Sequence, residues 1–428
     1  MRPVFTEQPA AFRPRTITEV LRPASADEVV EIVRSGRRPL HPVSTGRNWG
    51  LGSGLPVDDG AAVLDLSRLD RVRALDLERG YAVVEPGVTQ GALAELLRGT
   101  PRIFNLTTSS LRTSVIGNVL ERGVGVHRAR AEDLVGLEVV LADGRREHVG
   151  WWPGTSAVPR PHAAGPGLTH LFTQSSFAVV TAAVVRLLPR PEEVRVLPFT
   201  FASDDLADAV DALRSWTEQR LVPPTTKVYN PVAAQADGYL AHVCLSGAGE
   251  VVEALSSVLL AAAGRSPLVA APAYSVDDVV RATYAGDPDP ADTWFLRRTA
   301  GCPADRFDAE RGLLMFLPVV PFSGEAVALT EELIRDCCAS APAVTVNVLD
   351  SDAVDHVVGL GFPAHDPAAA AEARESLDRL HKAFAAHGFL PHRRDVDRPG
   401  AATALQARIG RALDPDGVFA PGRYSAGR

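Results

Sequence analysis

Short apolar runs alternate with amphipathic segments along the chain. Residues 25–36 carry apolar positions at helical spacing between Ser25, with Glu28 three residues later, and Gly36. This pattern predicts a capped helix that ends at the glycine. Strand-length apolar alternation then recurs at residues 63–66, 72–77, 81–86 and 177–188. The first part of the chain is therefore predicted to mix strands and helices locally.

Two prolines at residues 189 and 191 follow the last of these apolar runs, and they predict the first domain boundary. Beyond it, strand patterns and helical patterns alternate as far as residue 388, which favours an antiparallel sheet with covering helices. A last helix over residues 403–413 and a turn-rich tail are expected to pack back onto the first domain. The predicted class is α+β, with segments at residues 1–193, 194–388 and 389–428.

Composition limits the class of the protein. The chain has 428 residues, of which 46% are hydrophobic and 22% charged, as in globular proteins with two domains. A net charge of -8 without a basic tract argues against nucleic-acid binding. No signal sequence and no membrane-spanning apolar run is evident, so a cytoplasmic protein is expected. Four scattered cysteines indicate buried thiols rather than a disulfide framework.

The segment at residues 42–54 is rich in glycine, with Gly46, Gly50, Gly52 and Gly54 among hydroxyl and amide side chains. Missing side chains let backbone N–H groups approach phosphate oxygens. An ordinary surface loop is the alternative interpretation. A nicotinamide site is disfavoured, because the spacing does not follow G-x-G-x-x-G and no helical pattern follows at once.

Family resemblance extends this interpretation of the glycine-rich segment. Residues 42–53 resemble the pyrophosphate loop of the vanillyl-alcohol oxidase and 4-cresol dehydrogenase flavoproteins, and further matching segments follow in order at residues 81–89, 117–125, 136–144, 172–181 and 414–423. The resemblance implies a two-domain PCMH-type FAD-binding fold, with a cap domain of antiparallel sheet flanked by helices. It also implies an FAD-dependent oxidase or dehydrogenase.

The resemblance assigns FAD contacts to residues spread over the first domain and the tail. These are Pro42, Ser44, Thr45, Gly46, Arg47, Asn48, Trp49, Gly50, Ser53, Pro86, Gly87, Ser114, Gly117, Asn118, Glu121, Arg122, Gly123, Gly125, Val179 and Arg423.

Three residues are candidates for catalysis by the same resemblance. Glu121 stands where the family has an aspartate near flavin N5, and it could take a proton or instead be a surface residue paired with Arg122. Arg393 falls where an arginine faces the N1 and C2 carbonyl edge of the flavin, and a solvated basic turn is the alternative. His392 replaces a family tyrosine and could act as acid or base, or only pack.

The substrate pocket departs from the family pattern. The phenol-binding tyrosines correspond to Leu51, to Val126 or Ala129, and to His392, so the usual substrate is in doubt. His356 matches one histidine of a His-His pair and is expected to line the pocket. The positions used for covalent flavin attachment hold Leu313 and Asp305, so FAD is expected to be dissociable. No metal site is evident.

Three functions are compatible with these residues. The first is hydride transfer from a small alcohol, amine or benzylic substrate to flavin N5, with reoxidation by oxygen or another acceptor. The second is a tailoring enzyme that cyclises or rearranges a larger secondary metabolite. The third is an FAD-binding scaffold without turnover. A small-molecule substrate is the expected partner, and the oligomeric state stays open, with a homodimer as one alternative.

Overall fold

The computed structural model describes residues 12–36, 39–47, 50–162, 165–223, 226–271, 278–288 and 309–424. Within these ranges the chain forms mixed helices and sheets, as the sequence predicts. The strands that precede the predicted boundary are β1 (Ile17–Leu21), β2 (Leu40–Val43), β3 (Ala61–Asp65), β4 (Val72–Asp76), β5 (Tyr81–Val84), β6 (Arg102–Ile103), β7 (Leu134–Val140), β8 (Arg146–Gly150), β9 (Val179–Arg186) and β10 (Leu188–Pro189).

The later strands and the helices complete the described elements. The strands are β11 (Glu193–Phe201), β12 (Lys227–Tyr229), β13 (Tyr239–Gly247), β14 (Val269–Ala270), β15 (Arg311–Phe316), β16 (Val319–Pro321), β17 (Ala343–Val348) and β18 (Ala353–Pro363). The helices are α1 (Ala26–Arg34), α2 (Gln90–Leu96), α3 (Val115–Leu120), α4 (Leu206–Glu218), α5 (Pro231–Ala234), α6 (Gly249–Ala263), α7 (Asp278–Tyr284), α8 (Gly324–Cys337), α9 (Pro367–Ala386) and α10 (Ala404–Leu413).

The first part of the chain builds two larger sheets and a short antiparallel pair of β6 and β10. Strands β1, β3 and β2 form a parallel sheet, against which α1 packs. The predicted start of α1 is confirmed, because the Ser25 side chain accepts a hydrogen bond from the Glu28 N–H. Strands β4, β5, β9, β7 and β8 form an antiparallel sheet in that order, and α2 and α3 bury their apolar faces against it.

The second part builds one antiparallel sheet in the order β14-β11-β13-β12-β17-β18-β15, with β16 on β18. We call it the cap sheet. Its apolar face forms a large core with α4, α6, α8 and α9, including Val228, Val346 and Val358. Strand β18 was not predicted from the sequence, and it pairs with β17 along one edge and with β15 and β16 along the other. The other face of the sheet meets the first part of the chain.

The C-terminal segment lies beside the first part of the chain. Leu40 donates a backbone hydrogen bond to Val418 and accepts one from Ala420, so the segment runs beside β2. Phe419 is buried in the core beneath α1. The glycine-rich segment that follows β2 therefore lies next to the C-terminal segment. The segment limits at residues 193 and 388 stay predictions.

Candidate functional site

A cavity of about 350 Å³ lies between the glycine-rich segment and the polar face of the cap sheet. One wall consists of the segment from Pro42 to Arg47, together with α3. The opposite wall comes from β12, β15, β17 and β18, and the C-terminal segment closes one end. A cavity with apolar walls and a few convergent polar groups is the usual form of a small-molecule site.

The glycine-rich segment needs its glycines for backbone conformation. Gly46, Gly50 and Gly52 have φ values of 69°, 78° and 65°, a region that disfavours residues with a Cβ. A Cβ on Gly50 would lie 2.5 Å from Met315 Cγ, and the Gly50 carbonyl accepts a hydrogen bond from the Met315 N–H. The segment is thus held tightly against β15 of the cap sheet.

Helix α3 begins beside this segment. The Ser114 hydroxyl donates to the Pro86 carbonyl and accepts from the Gly117 N–H, which fixes the start of the helix. A Cβ on Gly117 would lie 2.6 Å from Ser44 Oγ. A side chain at residue 117 would therefore displace the Ser44 hydroxyl of the glycine-rich segment.

Glu121 ends α3 and belongs to a charged cluster at the end of the cavity. Tyr424 donates a hydrogen bond of 2.6 Å to the Glu121 carboxylate, and an Arg423 nitrogen lies 3.7 Å from the same oxygen. Arg423 also donates to Ser53 Oγ. Burial raises the pKa of the Tyr424 phenol well above its ordinary value, and the neighbouring Glu121 carboxylate acts in the same direction. Tyr424 is therefore a hydrogen-bond donor at neutral pH.

Gln174 joins Glu121 to His392. Its side-chain amide donates a 2.8 Å hydrogen bond to the His392 carbonyl and a longer one to the Glu121 carbonyl. Its φ of 45° is unusual for a residue other than glycine, and such conformations concentrate at functional sites. The segment that carries His392 is thus fixed relative to the end of α3.

A polar chain crosses the cap-sheet wall. The register pairs Lys227 with Asn347 and Asn347 with Asp355, which places the three side chains on one face. Lys227 Nζ donates to Asn347 Oδ1 at 2.6 Å, and Asn347 Nδ2 donates to Asp355 Oδ2 at 3.4 Å. His392 Nδ1 lies 3.3 Å from Asp355 Oδ1. Lys227, Asn347, Asp355 and His392 form what we call the cap-wall chain.

The tautomer of neutral His392 follows from its contacts. Nδ1 lies 3.2 Å from the carbonyl oxygen of Leu317, which can only accept a hydrogen bond. Nδ1 must therefore carry the proton, as the nearby Asp355 carboxylate also favours. The remaining nitrogen, Nε2, keeps a lone pair and can accept a proton.

A buried ion cluster supports the turn that follows α3. Asp133 accepts hydrogen bonds from Arg128 and Asn105, and Arg130 lies fully buried with its guanidinium over the Phe104 ring. Burial lowers the pKa of Arg130 to about 10, against the opposing effect of Asp133. The Arg130 N–H donates to the carbonyl of Gly123, which lines the cavity. This cluster thus sets the position of one cavity wall.

Most of the residues singled out from the sequence line this cavity. They are Pro42, Ser44, Thr45, Gly46, Arg47, Ser53, Pro86, Ser114, Gly117, Asn118, Glu121, Val126, Gly123, Leu313, His392, Arg393 and Arg423. Asn48, Trp49 and Asp305 lie outside the described residues.

Five other predicted residues lie behind the cavity lining. Gly50 packs on Met315, and Gly87 packs on the backbone of Ser67. Three more are turned away: Arg122 bonds Thr173, Gly125 packs on Asn105, and Val179 belongs to the core of the first sheet. Contact of these five positions with FAD stays a prediction.

Two predictions about the substrate pocket are corrected. His356 points to the opposite face of β18, where its Nε2 lies 2.9 Å from Thr330 Oγ1 of α8, and burial lowers its pKa to about 4. Asp355 lines the cavity instead, because neighbouring residues of a strand face opposite sides. Leu51 is buried behind the cavity wall, and its carbonyl accepts a hydrogen bond from Val396.

Sequence reasoning missed Lys227, Asn347 and Tyr424. The first two become neighbours only through strand pairing, and Tyr424 reaches Glu121 across 303 positions. One signal was available in the sequence, since Lys227 is a charged residue in a strand that otherwise reads as buried.

The cysteines, possible metal sites and possible membrane-spanning helices were also considered in the sequence analysis. Of the cysteines, Cys244 and Cys337 are buried thiols, Cys338 is partly buried, and Cys302 lies outside the described residues. Across the described ranges, no three His, Cys, Asp or Glu side chains cluster in a way that could hold a metal ion. None of the helices in those ranges is long and apolar enough to cross a membrane.

Comparison with known proteins identifies what this chain resembles. A family model for an FAD binding domain matches residues 17–150. The chain is 30% identical to 1'-carboxy-chondrochloren decarboxylase of Chondromyces crocatus, over 95% of this chain and 90% of that protein. It is 31% identical to the 4-cresol dehydrogenase (hydroxylating) flavoprotein subunit of Pseudomonas putida, over 50% of this chain and 43% of that subunit.

Solved structures agree with these matches. The structure of p-cresol methylhydroxylase with substrate bound has a TM-score of 0.85 at 21% identity, over 97% of this chain and 91% of that one. The 4-ethylphenol oxidase from Gulosibacter chungangensis has a TM-score of 0.83 at 23% identity, over 98% and 92% of the two chains. Likeness at these identities shows the fold, and it is the predicted two-domain PCMH-type fold.

Proposed function

We propose a reaction from the premise that this chain belongs to the PCMH-type family of FAD-linked oxidoreductases, which includes 4-cresol dehydrogenase. It is accordingly an FAD-dependent enzyme. In our proposal it takes a hydride from a C–H bond next to a hydroxyl, an amine or an aromatic ring of a small organic substrate. Oxygen or another acceptor then restores the oxidised cofactor.

The residues of the glycine-rich wall fit FAD. Within the described part of the chain, no hydrogen-bond partner reaches His41 Nδ1, Asn118 Oδ1 or Arg423 Nη1, although all three atoms are buried. Each of these residues lines the cavity. Buried polar groups normally find partners, so these atoms would take up polar groups of the cofactor. The pyrophosphate would lie along the segment from Ser44 to Arg47, which lines the cavity with its backbone and with a cationic side chain.

One observation carries the proposal: a single cavity joins the residues suited to FAD with the cap-wall chain. Bound FAD supplies the two-electron acceptor for the hydride. A substrate between the walls would present its reacting carbon to the cofactor and its polar groups to the cap sheet. Within this arrangement Arg393 would supply a positive charge near the reduced cofactor.

We assign proton transfer to His392 rather than Glu121. The bare Nε2 of neutral His392 can accept the proton that a substrate hydroxyl or amine gives up as hydride leaves carbon. The Glu121 carboxylate already accepts a hydrogen bond from Tyr424 and lies close to Arg423. Glu121 would therefore position the end of α3 and the C-terminal segment.

A visible spectrum and an anaerobic assay test the proposal. We expect a yellow protein whose colour stays in the supernatant after acid precipitation, because Leu313 cannot bond to the flavin. Under anaerobic conditions, one or more members of a panel of benzylic alcohols, amines and hydroxy acids should bleach the flavin band. A protein that no member of the panel bleaches would instead behave as a scaffold, and a yellow pellet would show covalent attachment.

Substitution of Gly117 tests the cofactor wall, by which we mean the segment from Pro42 to Arg47 together with α3. In Gly117→Ala, a Cβ 2.6 Å from Ser44 Oγ displaces the Ser44 hydroxyl from the cavity wall, and we expect FAD affinity to fall about tenfold, or about 1.4 kcal/mol. Titration of the apoprotein with FAD, followed by flavin fluorescence, measures this change. Gly361→Ala is the matched control, because no described atom lies within 4 Å of the added Cβ. Equal FAD affinities of the two variants would contradict the assignment.

A second candidate function is oxidative decarboxylation. The observation in its favour is the relative from Chondromyces crocatus, a decarboxylase that aligns over 90% of its length. If the carbon next to the one that loses hydride carries a carboxylate, the step balances: hydride leaves the first carbon, carbon dioxide leaves the second, and the electron pair of the broken C–CO2 bond becomes the C=C bond between them. Mass spectrometry of the product separates the two reactions, because only the second removes carbon dioxide.

A further inference from the structure

Lys227 is exceptional among the basic residues of this chain. Only two of the 44 basic residues are lysines, and the other one, Lys382, lies exposed on α9. Lys227 is 3% exposed and lines the cavity from the middle of the cap sheet. A buried lysine in a chain that otherwise uses arginine calls for a specific interaction.

The ammonium group of Lys227 is only partly satisfied. It can donate three hydrogen bonds, and the bond to Asn347 is the one that the described residues provide. Asp355 lies beyond Asn347, so its charge reaches Lys227 through space without a direct contact. Burial lowers the pKa of Lys227 to about 8, against the opposing effect of Asp355. Burying such a cation is costly unless an anion pairs with it.

Two hydroxyl groups in the same cavity also lack partners among the described residues. They are Thr345 Oγ1 and the phenol of Tyr284, both buried. The register pairs Thr345 with Tyr229, two positions along the same face from the Lys227 and Asn347 pair. Tyr284 enters from α7, and burial raises the pKa of its phenol well above the ordinary value, so it stays a donor.

We propose that Lys227 binds a carboxylate of the substrate, with Thr345 and Tyr284 as further donors, so that the enzyme selects organic acids. A carboxylate offers two acceptor oxygens to these donors. The negative charge of Asp355 in the same wall disfavours a dianion such as phosphate. The inference rests on the proposed site, and it holds whether or not carbon dioxide is later released.

Binding of matched acids and amides tests this inference without turnover. The probes are benzoate, phenylacetate and 3-phenylpropionate, each compared with its primary amide, on the FAD-loaded enzyme by isothermal titration calorimetry. We expect the best acid to bind about 10- to 100-fold more tightly than its amide. Lys227→Met should reduce this preference to near unity, whereas Lys382→Met, a matched change on the surface, should keep it.

Three results would overturn the inference. They are equal affinity for acid and amide in the wild-type enzyme, a preference that survives in Lys227→Met, and no binding of any acid at millimolar concentration. The wild-type comparison stands even if the variant does not fold. Failure of the proposed function has a different signature, because acids could then bind with the expected preference although no substrate bleaches the flavin.

The charge of Lys227 gives a second readout. Lysine-selective isotope labelling yields resonances from only two side chains, so Lys227 can be titrated directly. Its pKa of about 8 should rise when an acid binds, and acid affinity should fall as pH rises through about 8, where the ammonium loses its proton. Among the titratable groups that line the cavity with it are Asp355, His392, Tyr229 and Tyr284, and His242 is its partner on β13. Lys227→Met should abolish this step in the affinity profile, and an unchanged step would assign it to one of those neighbours.

Discussion

Replacing His392 with glutamine is expected to slow substrate-dependent reduction of the enzyme by about 10²- to 10⁴-fold. The amide can still donate to the Leu317 carbonyl, but it cannot take up a proton as hydride leaves the substrate. The loss should appear in the reduction step itself, with little change in substrate affinity, because the variant keeps a polar side chain of similar length. Anaerobic stopped-flow absorbance with the best substrate from the bleaching panel measures both quantities.

The matched control for this variant is His365→Gln. His365 lies exposed in the turn between β18 and α9, and its replacement should leave the rate unchanged. If His392→Gln reduces as fast as the wild-type enzyme, the proton acceptor must be another group, and Glu121 becomes the leading candidate. A Glu121→Gln variant would then carry the loss that we assign to His392.

The second large effect concerns stability. Asp133→Ala is expected to lower the free energy of unfolding by about 3–5 kcal/mol, because it leaves Arg130 buried without its carboxylate. The turn at Gly123 should loosen as well, so FAD should dissociate at a lower denaturant concentration than in the wild type. Urea unfolding followed by tryptophan fluorescence and by flavin release measures the two effects together.

An exposed ion pair provides the comparison. In Asp143→Ala, the partner Arg145 stays in solvent, and the cost should stay below about 1 kcal/mol. If the two variants lose similar stability, the buried cluster does not support the cavity wall. If Asp133→Ala unfolds at the wild-type urea concentration, the charge of Arg130 must be satisfied in some other way.

The cofactor wall could be predicted from the sequence because its signals are local. Gly46, Gly50 and Gly52 are required by the conformation of their own backbone, and the start of α1 depends on a side chain three residues away. Such constraints are visible in a short window of sequence. The segments that resemble the flavoprotein family follow one another in the family's order, and this order predicted the fold.

The cap wall could not be predicted in the same way, because its chemistry depends on strand register. His356 and Asp355 are neighbours in the chain, and only the pairing of β18 with β17 decides which of them faces the cavity. The same strand was missed because polar residues and the glycines Gly359 and Gly361 interrupt its apolar alternation. Lys227 and Asn347 are 120 positions apart, so no local pattern links them.

The return of the C-terminal segment has a consequence for how the enzyme is made. Arg423 bonds Ser53 across 370 positions, and Ala420 bonds Leu40 beside the glycine-rich segment. Arg423 is synthesised 370 positions after Ser53, and long-range contacts of this kind form late in folding. FAD capture should therefore wait until residues 420–423 have been synthesised, and nascent chains that stop before them should carry no flavin.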